Sequence, residues 1–287
     1  DRQIVVDQPD LIGRRAILDV HAKGKPLGAA VNLDVLARRT PGFTGADLAN
    51  LLNEGALLAA RRNLSEIGMV ELEDAIDRVI AGPERRTRVM GEHEKQVIAY
   101  HEAGHALVGH VLPGTDPIHK VSIVSRGRAL GWTLSLPTED KVLRSRSALR
   151  DELAMMLGGR TAEELVFDDP TTGAQNDIER ASQIARAMVT EWGMSDLLGP
   201  RNLTPAVGTH GGPEGIRSDH GDDLATEIDE EIRRLVEDAH DQAHGILVEH
   251  RAALDRLAAA LVERETLDDT ELAEIFEGVG PDRPTPR

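Results

Sequence analysis

The stretch AYHEAGHALVGH, residues 99–110, puts two histidines four positions apart with a glutamate directly after the first. On a helix, positions i and i+4 lie on one face about one turn apart, so His101 and His105 can aim at a single point. A zinc ion there would take one imidazole nitrogen from each at ~2.0–2.1 Å. Glu102 points roughly 100° further round, beside such an ion, where its carboxylate can reach an attacking water. The competing reading is a partly buried helix whose histidines are satisfied by hydrogen bonds. Ala103 and Gly104 keep the intervening surface small. Gly inside a helix costs ~1 kcal/mol relative to Ala, so close approach by another element is expected at Gly104. His110 faces elsewhere and is read as structural; His93, His119 and the histidines beyond residue 200 are read as surface residues.

A catalytic zinc needs a third protein ligand and one open position. The chain has no cysteine, which leaves Asp, Glu or a further His. Asp177 stands out by position. In NDIERASQIARAMVTEW the inward stripe is expected to be Ile178, Ala181, Ile184, Ala185, Met188 and Trp192, and Asp177 lies within it. A carboxylate on an apolar face requires a cation or hydrogen-bond donors. The alternative is that Asp177 only serves the first helical turn, where negative charge is favourable. Glu163 and Glu164, in GGRTAEELVF, are further inward candidates: one could accept the second N–H of a ligand histidine. A plain ion pair with Arg160 is the other reading.

The helices that carry these residues are legible from caps and periodicity. Residues 3–7 alternate like a strand, and PDLIGRRAILDVHAKG reads as a helix with Ile12, Ala16, Ile17 and Val20 inward. In PGFTGADLANLLNEGALLAARRN, Thr44 can cap, Asp47 can close the box, and Phe43 with Leu48 can form a hydrophobic staple. ELEDAIDRVI is a third helix, ended by Gly82-Pro83. The basic ERRTRV follows as a linker. EHEKQVIAYHEAGHALVGHVL is then a helix ended by Pro113-Gly114, and HKVSIVSRGRALGWTLSLP reads as two strands around a turn. Helices return at SALRDELAMMLGGRTAEELVF and TGAQNDIERASQIARAMVTEWG. Residues 199–223, rich in Gly, Pro, His and Asp, read as a mobile loop. Two long amphipathic helices span about 224–263. A short one follows, capped by Asp268 with Glu271 closing the box and Leu267 stapled to Leu272. The tail GPDRPTPR carries no folding signal. No internal repeat is visible.

The chain's 287 residues give room for two domains. The expected class is mainly α. Residues 1–82 form a small helical domain, 83–93 a linker, 94–278 a mostly helical domain with a short β-sheet, and 279–287 a disordered tail. With 33 basic against 50 acidic residues, a net of −17, and 2% aromatics, a nucleic-acid partner is not expected. No apolar run approaches the ~20 residues of a membrane helix. The opening DRQIVVDQPD, without Met, is expected of a piece of a longer chain.

Several motifs in one order resemble the FtsH family of ATP-dependent zinc metalloproteases. They are VVDQPDLIGRRAIL, TPGFTGADLANLLNEGALLAARRN, YHEAGHALVGHVLPGTDPIHKVSIVSRGRALG, LGGRTAEELVF, TTGAQNDIERA and MVTEWGMSDLLGP. The likeness covers about 1–198 and resumes from about 224 to 276. It implies that residues 1–82 are the end of an AAA ATPase module, mainly its lid, and that a zinc metallopeptidase domain follows. Carried over, His101, His105 and Asp177 are zinc ligands, one Zn²⁺ per chain, and Glu102 is the catalytic carboxylate. Glu163 would support a ligand histidine, and Arg2 would be an arginine finger reaching a neighbouring subunit's ATP. The resemblance also implies a homo-hexamer, a tether to the inner membrane at its cytoplasmic face, and unfolded or membrane polypeptides as substrates. The phosphate-binding loop, the acidic Mg²⁺-binding motif, the pore loop and the two membrane helices have no counterpart in these residues. ATP and Mg²⁺ would therefore belong to the full-length protein, and this segment is expected to be soluble. RNLTPAVGTHGGPEGIRSDHGDD departs from the family's usual loop.

The expected chemistry is endopeptidic hydrolysis, with Glu102 relaying the water's proton to the leaving amine. No second oxyanion donor can be named. The strands of residues 119–136 could offer an edge to an extended substrate, or could simply complete the core. The rival class is a non-catalytic helical assembly module whose long C-terminal helices pack between subunits.

Overall fold

The computed structural model describes residues 7–84, 90–126, 129–137, 143–204 and 221–280. In chain order the elements are α1 (Leu11–Ala22), α2 (Leu33–Arg38), α3 (Gly45–Arg61), α4 (Met69–Ala81), α5 (Glu92–Val111), β1 (Ile118–Ser122), β2 (Trp132–Ser135), α6 (Arg146–Phe167), α7 (Gln175–Thr190), α8 (Asp222–Glu249), α9 (Arg251–Arg264), β3 (Thr266–Asp268) and α10 (Asp269–Ile275). The described residues are thus mainly helical, with three short strands among them. It divides into two compact units, residues 1–89 with 124–142 and residues 90–123 with 143–287. Residues 3–6 of the expected strand, residues 85–89 of the expected linker, most of the expected 199–223 loop and the tail from 281 lie outside the described residues, as does Arg2.

In the first unit α3 is set by its own ends. Thr44 accepts from the Asp47 N–H, and the Asp47 carboxylate accepts from the Thr44 N–H at 2.9 Å, so two otherwise orphaned donors are satisfied. Phe43 and Leu48 enter one apolar core with Leu18, Leu36, Leu51, Leu52, Ile67 and Leu72. α4 ends at Gly82, whose φ of 85° favours a residue without a side chain.

The α1 face differs from expectation. Ile12 is 78% and Val20 59% exposed, Ala16 is also exposed, and Arg14 and Leu18 point inward instead. The reason is chemical: the Arg14 Nε donates to the Ala37 carbonyl at 2.9 Å and its Nη1 to that of Pro9, so a guanidinium occupies an apolar face. The six-residue α2 was not anticipated. Asn32 caps it by accepting from both Asp34 and Val35 N–H groups.

The second unit is built around α5, which packs on α6, α8, α9 and β1. Pro113 and Gly114 follow its last turn. β3, also not foreseen, pairs antiparallel with β1, with Val121 opposite Leu267. One edge of β1 is therefore taken by this chain, and Val121 and Ile123 are core residues, which favours the core-completing reading of that strand. Asp268 caps α10 and Glu271 closes the box. His110 is structural: it stacks on Phe276 and bonds the Val279 carbonyl at 2.7 Å.

Candidate metal centre

Three helices bring the site residues together. α5 supplies His101, Glu102 and His105, all buried, α6 supplies Glu163, and α7 supplies Asp177 from its first turn. The two imidazole Nε2 atoms are 3.0 Å apart, and Asp177 Oδ2 lies 3.4 Å from one and 3.5 Å from the other. A tetrahedral ion with ligand distances of ~2.0–2.1 Å needs donor–donor edges of about 3.3 Å, and these three edges bracket that value. Among the described residues this is the one cluster of His and carboxylate groups with metal-holding geometry.

The outer nitrogens explain which way the rings face. His101 Nδ1 is 2.6 Å from Glu163 Oε1, and His105 Nδ1 is 2.8 Å from the Met155 carbonyl. A carboxylate and a carbonyl can only accept, so each Nδ1 carries a proton and each Nε2 is the nitrogen turned inward toward Asp177. Two inward nitrogens and a carboxylate oxygen converging in a buried site call for positive charge among them, as protons on the rings or as a metal cation.

Electrostatics point the same way. Burial lowers the affinity of His101 for a proton, but hydrogen bonds to Asp177 and Glu163 and the field of Glu102 outweigh it, pushing its pKa up to about 10. Asp177 is held well below the ordinary carboxylate range: burial works against this, and hydrogen bonds from His101 and His105 prevail. Glu163, only 1% exposed, is also lowered against its burial, by His101 and by the Thr171 N–H, which meets its other oxygen at 2.5 Å. The cluster therefore stabilises positive charge, and its two nitrogens and one oxygen suit Zn²⁺.

Close helix packing makes the space. A Cβ on Gly104 would stand 2.3 Å from the Gly158 carbonyl oxygen, and one on Gly158 would stand 2.8 Å from that of Gly104. The close approach expected at Gly104 is thus the crossing of α5 and α6. A Cβ on Gly159 would fall 2.4 Å from His105 Nε2 and 2.7 Å from His101 Nε2, within the cradle where the donors meet.

Of the two inward glutamates, Glu163 reaches His101, while Glu164 pairs with Arg160 at 2.7 Å and with His240 at 2.8 Å. Asp177 is half-buried, and the α7 stripe is narrower than expected. Ala181, Ala185 and Met188 are buried, but Ile178 is 38% and Trp192 46% exposed. Sequence reasoning missed the Met155 carbonyl and the Thr171 N–H, which carry no side-chain signature. It also missed Gly159, although the doubled glycine inside a helix was a usable signal.

A helical fold, an HExxH-bearing helix and a distant aspartate brought to it define the metallopeptidase class. The family model for Peptidase family M41 matches residues 88–275, and that for the AAA+ lid domain matches residues 30–74. The chain belongs to peptidase family M41. It is 56% identical over 283 residues to the ATP-dependent zinc metalloprotease FtsH of Rubrobacter xylanophilus, covering 96% of this chain and 43% of that protein. It is 55% identical over 300 residues to FtsH 3 of Symbiobacterium thermophilum, covering 100% of this chain and 46% of the relative. FtsH 3 of Synechocystis sp. is 56% identical over 287 residues, 96% of this chain and 46% of that one. The chain thus spans somewhat under half the length of these relatives.

Proposed function

We propose that this chain carries the zinc-dependent peptide-hydrolysing centre of an ATP-driven protease, with His101, His105 and Asp177 holding the ion. The observation that carries the reading is the convergence of those three donor atoms beside a buried glutamate. When bound, zinc would polarise the scissile carbonyl and lower the pKa of water toward ~7. Glu102 accepts the proton of the attacking water and passes it to the departing amine, so the carboxylate returns to its starting state. Glu163 holds the His101 ring by its Nδ1–H, and the Met155 carbonyl does the same for His105, so neither ring must reorganise during turnover. The buried setting of Glu102 excludes bulk water from competing for its proton.

In this reading residues 1–82 are the lid end of an AAA module, 83–93 a linker and 94–278 the peptidase domain, with Arg2 contacting a neighbouring subunit's ATP. The lid match and the names of the relatives support it. The full-length protein would act on unfolded or membrane polypeptides as a homo-hexamer tethered at the cytoplasmic face of the inner membrane. Among the described residues no helix is long and apolar enough to cross a membrane.

The test is casein cleavage by this chain with chelator and after zinc re-addition, beside Glu102→Gln. Activity should vanish with chelator and return with zinc. Glu102→Gln should keep one zinc per chain and lose about 10²–10⁴-fold or more in rate. Full activity in Glu102→Gln would sink the assignment. So would cleavage indifferent to chelator.

A further inference from the structure

Three residues of α6 spaced by four, Met155, Gly159 and Glu163, face the two histidines of α5. Each does something different there. The Met155 carbonyl fixes His105 Nδ1, and the Glu163 carboxylate fixes His101 Nδ1. Between them Gly159 offers nothing but room: the three nearest atoms to a Cβ built on it are His105 Nε2, His101 Cε1 and His101 Nε2, at 2.4–2.7 Å. No atom of the backbone is among them. Gly158 is the contrast, since its Cβ would strike the Gly104 backbone and its absence serves helix packing. We infer that Gly159 is a positioning residue for the metal, its absent side chain being the space in which the inner nitrogens and the ion meet. The inference rests on the metal-centre reading above.

A distinctive pattern follows. In metal-free protein, the atoms nearest a methyl at position 159 are the far ends of two side chains, each held by one Nδ1 hydrogen bond and able to give way more readily than backbone. Replacing a mid-helix Gly with Ala also favours the helix. With metal bound the rings cannot tilt, because their inner nitrogens must keep their separation. Gly159→Ala should therefore weaken metal binding while leaving the metal-free fold intact, which a purely structural glycine would not do.

The experiment uses the full 287-residue chain and its Gly159→Ala variant. Zinc affinity is measured by competition with a chromophoric chelator, Co²⁺ is used as a spectroscopic probe, and melting is followed in excess chelator. The parent should bind one zinc, and the variant's Kd should rise about 100-fold, the upper end for loss of a ligand's supporting group. Its visible Co²⁺ bands should shift or disappear, with unchanged melting in chelator. Equal zinc affinity and an identical Co²⁺ spectrum would overturn the inference alone. A metal-free variant melting far below the metal-free parent would also overturn it, because Gly159 would then be a packing glycine. A parent chain that takes up no zinc would instead remove the metal-centre reading itself, and this inference with it.

Discussion

α3 and α5 are helices of similar length that solve opposite problems. α3 buries one stripe, Leu48, Leu51, Leu52, Gly55 and Ala59, flanks it with half-buried residues such as Ala56 and Leu58, and leaves the far side to water. α5 buries every residue from His101 to Gly109, polar and apolar alike. A one-sided helix gains stability from its stripe, with each fully buried Leu contributing about 1.5–3 kcal/mol. A helix enclosed on all sides must satisfy each polar group it carries, and α5 does so by borrowing acceptors from α6 and a carboxylate from α7. The first arrangement tolerates loss of one member at a graded cost; the second fails as a unit.

The sharpest test of that contrast is Asp177→Ala, which should abolish stoichiometric zinc and with it casein hydrolysis, read by metal analysis of the purified chain. The variant should leave the first unit untouched, because the residue lies in the other unit. Full zinc occupancy would break the comparison. Leu52→Ala, in α3, should do the reverse. It should destabilise by about 2–5 kcal/mol, as large-to-small changes in a filled core do, while zinc per chain stays at the parent's value. Chemical denaturation of both proteins checks it.

A smaller effect is expected from Glu163→Ala. The His101 ring stays but loses its Nδ1 anchor, so zinc affinity should fall about 10–100-fold without loss of helicity. The smallest effect concerns pH and the first unit. The hydrogen bond from Arg62 holds Glu71 below its ordinary pKa of 4.5. A lowered folded pKa contributes stability that is fully present above 4.5 and is lost as pH falls through the lowered value. Melting temperature should therefore decline more steeply below pH 4.5 in the parent than in Glu71→Gln.

What was legible in the sequence follows the same division. Caps are local chemistry, so Thr44 with Asp47 and Asp268 with Glu271 could be read from a few residues. Burial is not local. Arg14 turned inward because the distant carbonyl of Ala37, with the nearby one of Pro9, received it, and no periodicity argument places an arginine there. β3 has three residues and exists only through its pairing with β1, so it carries no pattern of its own. At the site, side-chain types and the i, i+4 spacing pointed to His101, Glu102 and His105. The residue reading left Asp177 between two roles; its distance to both imidazoles needed coordinates. The backbone groups that orient the rings were invisible because every residue has them.

The Glu163 carboxylate is shared: one oxygen meets His101, the other the amide of Thr171, in the segment that leads into α7 and so to Asp177. A single side chain thus fastens the first ligand's ring and the approach path of the last. Seating that segment and aligning that imidazole become one event, so capture of the ion and ordering of residues 168–177 should titrate together rather than in sequence.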